Sequence, residues 1–506
     1  MEVEMKTEVV IVGGGATGTG IARDLALRGI PSVLVEKGDL AAGASGRNHG
    51  LLHSGGRYAV TDPEAARECI AENGILRRIA PHGIEETDGF FVSLPEDGLD
   101  FQAQFLRACE SADIPSTVLS RDEALDLEPD LNPTLLGAVR VPDGAIDPFT
   151  VVVENARDAE KLGTKLLLHT EALSLLRNRD KVTGVLARDR LSGEQYSIAA
   201  SFVINATGAW ANKFLELAGL RITMALSKGS MLVTNRRLSH RVINHCRRPS
   251  DGDIVVPNDT VSILGTTSVR LKDTENFEVT PSEVALLIRE TSKMIPQIAN
   301  TRLIRAYAGI RPLFQSEKDG HDRAISRGFT LIDHEKHDGL QNLITITGGK
   351  FVTFRLMAEK TSDLLCGKMG VNIPCSTHLK PLPGASEPSG HGQRFKTFSE
   401  KRGEILCDCE LVQRKDVEDS LRKGQMKDLR DILHRTRLAK GTCQGGFCVY
   451  RLLGVLHELG MAAGDSNKVL KGFLEERWEG IRPVLWGVSV QEQELIESIY
   501  KGILNL

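Results

Sequence analysis

Four of the nine cysteines in this 506-residue chain lie in two short clusters. One residue separates Cys407 from Cys409, four separate Cys443 from Cys448, and 33 residues stand between the clusters. Four thiolates at such spacing can converge on a soft metal centre, either zinc or an iron–sulfur cluster. Structural zinc commonly uses C-x2-C pairs, whereas the tighter C-x-C suits a two-iron cluster. We therefore predict a metal centre here and favour a 2Fe–2S cluster over zinc.

The amino-terminal stretch EVVIVGGGATGTGIARDLALRGIPSVLVEKG predicts a dinucleotide site. Gly13, Gly15 and Gly18 form a G-x-G-x-x-G motif between a predicted strand and helix, and a second strand ends at Glu36. The three glycines permit a tight turn, close approach of a pyrophosphate, and packing of helix on strand. The helix N-terminus attracts phosphate, and an acid at Glu36 suits ribose hydroxyls, so FAD or NAD fits better than NADP.

Two later stretches favour FAD. SFVINATGAWAN predicts a buried strand that ends in a turn, and LQNLITITGGKFVTFRLMAE predicts a strand, a glycine turn and an amphipathic helix. Flavoenzymes of the glutathione-reductase-like class use such a second helix N-terminus beside the flavin. The polar loop AAGASGRNHGLLHSGGRY is a further candidate for lining the flavin. The residues expected against the cofactor are Ser45, Ala206, Thr207, Gly208, Gly348 and Gly349.

Flavin-dependent oxidation of an alcohol removes a hydride and a proton, so the substrate needs a nearby base. His53 is the candidate, because the ordinary pKa of histidine is about 6.5. An anionic substrate also needs fixed cations, for which arginine and lysine are suited. Each residue also has an ordinary structural interpretation, as a loop histidine or a surface ion pair, so only their convergence would define a site. The candidates beside the base are Arg57, Tyr58, Arg311, Arg327 and Lys350.

Composition excludes several classes of protein. The net charge of −4 and pI of about 6.4 argue against a nucleic-acid-binding surface. The N-terminus lacks the order of a signal peptide, and no apolar run reaches the length of a membrane span. We therefore expect a cytosolic protein, in which thiols stay reduced and a disulfide between the clusters is disfavoured.

The element pattern predicts an α/β protein of two or three domains. The main unit is a glutathione-reductase-like FAD-binding Rossmann domain that carries an inserted antiparallel sheet over the substrate. A proline-, glycine- and serine-rich linker leads to a small, mainly α-helical Fe–S domain and a helical tail. The expected bounds are 1–378 for the oxidoreductase, about 75–100 and 226–320 for the insertion, 379–400 for the linker, 401–455 for the ferredoxin-like domain and 456–506 for the tail.

Five stretches together resemble the FAD-dependent glycerol-3-phosphate dehydrogenases, most closely the A subunits of the anaerobic type: VVIVGGGATGTGIARDLALRG, SGRNHGLLHSGGRY, INATGAWA, AGIRPL and TITGGKFVTFRLMAE. The resemblance runs over nearly the whole chain. It implies oxidation of sn-glycerol 3-phosphate to dihydroxyacetone phosphate, with His53, Arg57, Tyr58, Arg311 and Lys350 at the substrate.

Arg327 matches the family pattern less well. The relatives follow this arginine with an acid and an aromatic residue, whereas Gly328 and Phe329 follow it here.

The cysteine tract resembles a bacterioferritin-associated ferredoxin-like domain, which carries a 2Fe–2S cluster. The resemblance to the anaerobic A subunits further implies two partner subunits, one a flavoprotein and one an iron–sulfur protein. Through them the protein would associate with the cytoplasmic face of the inner membrane and pass electrons to quinone. The basic run HRTRLAKG could offset the negative charge of the cluster, or could be a solvated helix end.

Two other functions fit part of the pattern. An amino- or imino-acid dehydrogenase can combine a flavin domain with the same ferredoxin-like domain, but a carboxylate needs one cation, whereas Arg57, Arg311 and Lys350 suit a phosphate. A non-catalytic electron-transfer protein would bind flavin without oxidising a small molecule.

Overall fold

The computed structural model describes residues 2–314, 328–386, 395–396, 398–399, 403–423, 429–461 and 466–503. The first third of the chain contains β1 Glu2–Val12, α1 Ala16–Leu27, β2 Ser32–Val35, β3 Leu51–Leu52, α2 Gly56–Ala59, α3 Pro63–Ile79, β4 Ile84–Glu85, β5 Gly89–Ser93, α4 Asp100–Ser111, β6 Thr117–Ser120, α5 Arg121–Leu127, β7 Gly137–Val141 and β8 Gly144–Ile146.

The middle third contains α6 Pro148–Lys161, β9 Lys165–Leu167, β10 Thr170–Asn178, β11 Lys181–Asp189, β12 Gln195–Asn205, α7 Ala211–Leu215, β13 Met224–Thr234, β14 Val242–His245, β15 Ile254–Asn258, β16 Val261–Gly265, β17 Val269–Leu271 and α8 Pro281–Met294. The last third contains β18 Leu303–Phe314, β19 Phe329–Asp333, α9 His334–Asp338, β20 Leu343–Gly348, α10 Phe354–Met369, β21 Ile405–Cys407, β22 Val412–Gln413, α11 Arg414–Lys423, α12 Leu429–Thr436, α13 Cys448–Glu458, α14 Ser466–Ile481 and α15 Val488–Ser498.

The nucleotide-binding sheet has the order β10-β11-β12-β1-β2-β9, with β20 beside β12 and β19 beyond it. Strand β1 runs parallel to both β2 and β12, and β12 runs parallel to β20. Helices cover the sheet: α1 packs against α6 and α10, and Val9, Val10 and Ile11 of β1 are fully buried. Because the strands are parallel, the carboxyl ends of β1, β12 and β20 lie at one edge, where ligands bind in folds of this kind. The predicted Rossmann domain is confirmed.

In the described part of the chain, the second sheet has nine strands in the order β17-β13-β16-β15-β14-β5-β7-β6, with β18 beside β13. Its pairs are antiparallel except for β14 with β5. Strands β6 and β7 belong to it, so the sheet draws on residues between the two segments expected for the insertion. Strand β18 carries Arg311 and also contacts β20, which brings the second sheet to the carboxyl edge of the first.

Residues 403–503, here called the cysteine module, form a hairpin of β21 and β22 with helices α11 to α15. One apolar core joins the hairpin, two of the cysteines and the last helices, since Cys407, Cys448, Phe473 and Tyr500 all lie in it. The expected tail therefore packs into the same core as the ferredoxin-like segment. Within the described parts of the chain, no helix has both the length and the hydropathy to cross a membrane.

Part of the expected linker is attached to the nucleotide-binding domain. The guanidinium of Arg23 donates to the carbonyl oxygens of Lys380 and Pro381, at 2.8 and 3.2 Å. Leu382 is buried, and its N–H donates to the carbonyl oxygen of Ile79.

The basic run HRTRLAKG is neither a solvated helix end nor a counter-charge reserved for a cluster. Arg437 forms ion pairs with Asp147 at 2.8 Å, with Asp259 at 3.0 Å and with Glu410 at 3.0 Å. Lys440 lies 4.2 Å from the centre of the Phe149 ring. The run therefore joins the cysteine module to the oxidoreductase domain.

Candidate active site

The glycine motif forms the turn that its spacing predicts. Gly13 has φ +117°, and a Cβ there would lie 2.5 Å from the carbonyl oxygen of Ala206. A Cβ on Gly18 would overlap the carbonyl oxygen of Gly13, so this position must lack a side chain for α1 to pack against β1. Gly15 is the N-cap residue before α1, and a Cβ there would lie 3.0 Å from the Ser45 hydroxyl. The turn is therefore a cradle in which phosphates of a bound dinucleotide can come close to backbone N–H groups.

Glu36 directly follows β2, at the position where the sequence predicts binding of an adenosine ribose. One carboxylate oxygen accepts the N–H of Gly14 at 2.7 Å, and the other accepts the N–H of Gly38 at 2.8 Å. Burial raises the pKa of Glu36, and the two backbone hydrogen bonds act against that rise. The two bonds orient the carboxylate, which borders the cavity described next.

A cavity of about 1560 Å³ runs from the glycine motif to the second sheet. Pockets for drug-sized ligands span roughly 300–1,000 Å³, so this cavity has room for a dinucleotide and a small substrate together. It brings together residues from the two sheets and from the loop after β2. The predicted site residues that line it are Gly13, Gly15, Glu36, Ser45, His53, Arg57, Tyr58, Ala206, Thr207, Gly208, Arg311, Gly348, Gly349 and Lys350.

The two turns expected beside the flavin lie at the carboxyl ends of β12 and β20. The Thr207 hydroxyl donates to the side-chain oxygen of Asn205 at 2.6 Å. Gly348 and Gly349 have φ +84° and +73°, which favour glycine, and the N–H of Gly349 donates to the carbonyl oxygen of Gly328 at 3.0 Å. The chain then enters α10, so a second helix N-terminus faces the cavity.

His53 is buried at the wall of the cavity. A residue that does not line the cavity fixes the His53 backbone: the side-chain amide of Asn73 donates to the His53 carbonyl oxygen at 3.1 Å. Burial lowers the pKa of His53 well below 6.5, and the nearby charges of His49, Lys350 and Arg57 lower it further. The imidazole is therefore neutral at pH 7, the form in which it can accept a proton.

Lys350 and Tyr58 lie beside this imidazole. The Lys350 ammonium is 5.1 Å from the centre of the Tyr58 ring, and that ring is 5.3 Å from the ring of His53. A base, a phenol and a cation therefore share one wall of the cavity.

Arg311 and Arg57 differ in their partners. Arg311 donates to the Thr266 hydroxyl at 2.7 Å and to the Thr267 carbonyl oxygen at 3.1 Å, and neither of these two acceptors is a carboxylate. Arg57 forms a 2.6 Å ion pair with the fully buried carboxylate of Asp253. Asp253 therefore balances the charge of Arg57, and both arginines line the cavity. Arg327 lies outside the described residues.

Sequence reasoning missed His49, which also lines the cavity. Its Nδ1 accepts the N–H of Leu51 at 3.2 Å, and its ring lies edge-on to His53 with 5.7 Å between ring centres. Burial lowers the pKa of His49 to about 3, and the charges of Arg311 and Arg57 contribute. The signal was present, because two histidines four residues apart stand in NHGLLH.

The four predicted metal-ligating thiols lie together in the cysteine module. Cys443 contacts the thiols of Cys409 and Cys448, which lower its pKa, and Cys448 also contacts Cys407. Among the described residues, no group of three or more His, Cys, Asp or Glu side chains is arranged so that it could hold a metal ion. Each of the four thiols contacts at least one other, and four cysteine thiolates are a ligand set that zinc and iron–sulfur clusters accept, so the metal centre stays a prediction.

The surroundings of these thiols also suit a negatively charged thiolate centre. Backbone N–H groups of Gly445 and Gly446 help to lower the pKa of the Cys443 thiol, and the Gly446 N–H donates to the Cys443 carbonyl oxygen at 3.1 Å. The Arg477 guanidinium donates to the carbonyl oxygens of Gln444 at 2.9 Å and Cys443 at 3.2 Å, which fixes the loop. Hydrogen bonds to thiolate sulfur stabilise iron–sulfur clusters and set their potentials. The residues present therefore fit such a group.

The fold and the site define a flavin-dependent oxidoreductase, and residues 8–364 match the family model described as FAD dependent oxidoreductase. The chain is 45% identical to the A subunit of anaerobic glycerol-3-phosphate dehydrogenase from Escherichia coli K12, over 99% of this chain and 97% of that protein. It is 38% identical to the A1 subunit of the Haloferax volcanii enzyme, over 98% and 90%. The chain therefore belongs to the family of FAD-dependent oxidoreductases that contains the A subunits of the anaerobic glycerol-3-phosphate dehydrogenases.

A solved structure supports the fold. The glycerol-3-phosphate dehydrogenase from Bacillus halodurans complexed with FAD has a TM-score of 0.67 and 21% identity, and the match covers 95% of this chain and 96% of that one. The match of residues 8–364 to the FAD dependent oxidoreductase family indicates that the cofactor is FAD, and the glycine turn and Glu36 fit it.

Proposed function

We propose that this protein oxidises sn-glycerol 3-phosphate to dihydroxyacetone phosphate with FAD as the hydride acceptor. The observation that carries the proposal is the 45% identity, over 99% of the chain, to the A subunit of an anaerobic glycerol-3-phosphate dehydrogenase. The cavity agrees with it, because a neutral histidine and two cations, Arg311 and Lys350, face the space beyond the cofactor cradle.

The proton of the substrate hydroxyl passes to His53. FAD, when bound, supplies the acceptor for the hydride that leaves the carbon bearing this hydroxyl. The lowered pKa of His53 keeps its imidazole neutral before the reaction, so a ring nitrogen has a lone pair for the proton. Its backbone hydrogen bond from Asn73 keeps the ring at the cavity wall, and Tyr58 packs beside it.

The phosphate of the substrate binds Arg311 and Lys350. A guanidinium offers two parallel N–H donors to a phosphate, and an ammonium adds a compact charge. Arg57 acts chiefly through Asp253, since their buried ion pair fixes the loop that carries His53. Arg327 is assigned to substrate binding on the family resemblance alone.

The cysteine module is the proposed electron exit. Cys407, Cys409, Cys443 and Cys448 would hold a 2Fe–2S cluster, which would supply one-electron transfer, with zinc as the alternative occupant. Partner flavoprotein and iron–sulfur subunits then connect the protein to quinone at the cytoplasmic face of the inner membrane. The support is the contact among the four thiols and the naming of the relatives as subunits.

An anaerobic titration tests the proposal. Glycerol 3-phosphate should bleach the flavin absorption of the purified protein, whereas glycine and proline should not. Persistence of the oxidised flavin with glycerol 3-phosphate would reject the function, and bleaching by an amino acid instead would assign the amino-acid dehydrogenase activity.

A substitution then tests the phosphate site. Arg311→Ala should raise KM for glycerol 3-phosphate about 30-fold, since a charged hydrogen bond contributes about 2 kcal/mol, while FAD stays bound. Arg289→Ala is the matched control, because that arginine is exposed and pairs with Glu290 on the surface of the same domain. Equal KM values for the two variants would remove Arg311 from the substrate site.

A further inference from the structure

Helix α12, Leu429–Thr436, has two different faces. Leu429, Ile432 and Leu433 are buried in the core of the cysteine module, in the same cluster as Cys407 and Cys448. The opposite face carries charged side chains that leave the module and contact the nucleotide-binding domain. The position of this helix therefore depends on the packing around the thiols.

The polar face of α12 contacts residues 36–46, here called the FAD loop. Arg435 donates to both carboxylate oxygens of Asp39, at 2.7 and 2.8 Å, and the His434 ring nitrogen lies 2.8 Å from the same carboxylate. Asp39 and Arg435 are both buried in this pair. The His434 ring also stacks on Phe149 at 4.6 Å, and Phe149 packs against Gly46 at the end of the loop.

A third contact fixes the start of the FAD loop. The side chain of His169 lies 3.0 Å from the carboxylate of Asp431 on α12. The backbone N–H of His169 donates to the carbonyl oxygen of Gly38 at 2.9 Å. All three contacts of the helix therefore converge on one short loop.

The FAD loop is itself part of the cofactor site. Glu36 orients toward the glycine turn, and the N–H of Ala41 donates to the carbonyl oxygen of Gly14 at 3.0 Å. The Ser45 hydroxyl accepts the N–H of Ala16 at the start of α1, at 2.9 Å, and borders the cavity. Asp39 is absent from the cavity wall, so α12 acts on the loop from the side away from the cofactor.

We propose that α12 couples the cysteine module to FAD binding. When the module is folded around its thiol centre, α12 holds the FAD loop in the position that binds the adenosine and phosphate half of FAD. Bound FAD stabilises the module in return, because coupling between two sites is reciprocal. The inference uses the proposed function only in assuming that the four thiols hold a metal centre, and it needs no particular substrate.

The test is the dissociation constant of FAD for the full-length chain, followed by flavin fluorescence without substrate. Arg435→Gln removes the ion pair with Asp39 and should weaken FAD binding about 10-fold, inside the range of about 5- to 150-fold that site-to-site coupling usually shows. Arg482→Gln is the control, because its exposed pair with Glu278 also joins the module to the oxidoreductase domain but lies away from the FAD loop. It should bind FAD as the parent does.

A second variant tests whether the thiol centre acts through this helix. Cys443→Ser should also weaken FAD binding, although Cys443 does not line the cavity. In the double variant the two losses should not multiply, since both interrupt one connection. Unchanged FAD affinity in Arg435→Gln, or losses that multiply, would overturn the proposal.

Asp39→Asn disrupts the same ion pair from the loop and provides the measurement if Arg435→Gln or Cys443→Ser fails to fold. It should weaken FAD binding as Arg435→Gln does, and parent-like affinity would overturn the coupling. Failure of glycerol 3-phosphate to bleach the flavin would reject the proposed function and leave these affinities unaffected, so the two failures are distinguishable.

Discussion

Gly229→Ala should displace Arg311 without touching the cofactor site. In the pairing of β13 with β18, Gly229 stands opposite Gly309, and the Arg311 side chain lies over the glycine. A Cβ on Gly229 would lie 2.5 Å from Cζ and 2.7 Å from Nη1 of Arg311. Since non-bonded carbon atoms prefer separations of about 3.5–4.0 Å, the added methyl group must push the guanidinium away.

The size of the effect follows from what the guanidinium loses. Its hydrogen bonds to Thr266 and Thr267 hold it at the cavity wall, and displacement breaks these together with the proposed bond to phosphate. One charged hydrogen bond contributes about 2 kcal/mol, which is about 30-fold in kcat/KM. Because the phosphate is bound before and during the reaction, the loss should raise KM and leave kcat nearly unchanged.

The assay is steady-state oxidation of glycerol 3-phosphate with an artificial dye acceptor. The control is Gly367→Ala on α10, where no atom lies within 4 Å of an added Cβ, so its kinetics should match the parent. In an Arg311→Ala background, Gly229→Ala should cost nothing further, because both changes remove one interaction. The reasoning would be refuted if Gly229→Ala lowered kcat/KM in the Arg311→Ala background as much as in the parent. An unchanged KM in Gly229→Ala alone would also refute it.

Three further predictions concern the base, the electron exit and the FAD loop. His53→Asn should slow flavin reduction by substrate roughly 10²- to 10⁴-fold, the usual effect of a general base, while FAD content stays constant; anaerobic stopped-flow absorbance measures both. Cys443→Ser, at saturating FAD, should reduce flavin at the parent rate but transfer electrons poorly to a quinone-linked acceptor, and its iron content should fall. Burial would raise the pKa of Asp39, but His434 and Arg435 hold it below its usual range. Its contribution to stability is therefore present above about pH 4 and is lost on further acidification. Thermal unfolding between about pH 2 and pH 7 should show a larger loss of stability on acidification in the parent than in Asp39→Asn.

The cofactor site could be predicted largely from local rules. A glycine turn between strand and helix requires positions without side chains, and the structure shows this at Gly13 and Gly18. An acid at the end of the second strand is expected beside the glycine turn, and Glu36 lies there. These residues belong to one β-α-β unit, so pattern and spacing suffice to identify them.

The substrate side of the cavity could not be predicted from local rules. His53, Arg311 and Lys350 stand far apart in sequence, and only the resemblance to a known family indicated that they share a cavity. Pattern also identifies an arginine without showing its partner. Asp253 binds Arg57 because the second sheet brings them together, and nothing in the sequence near either residue indicates the pair.

The basic run HRTRLAKG shows why interfaces between domains are the hardest feature to predict. A charged helix face has the same periodicity whether it meets water, a cluster or another domain. Its partners come from separate loops, with Asp39 after β2, Asp147 before α6 and Asp259 between β15 and β16. Each carboxylate alone is an ordinary loop residue. These ion pairs neutralise the charges of the basic run, so the run joins the two domains. The ionised form of the Cys443 thiol is stabilised instead by backbone N–H groups of its own loop.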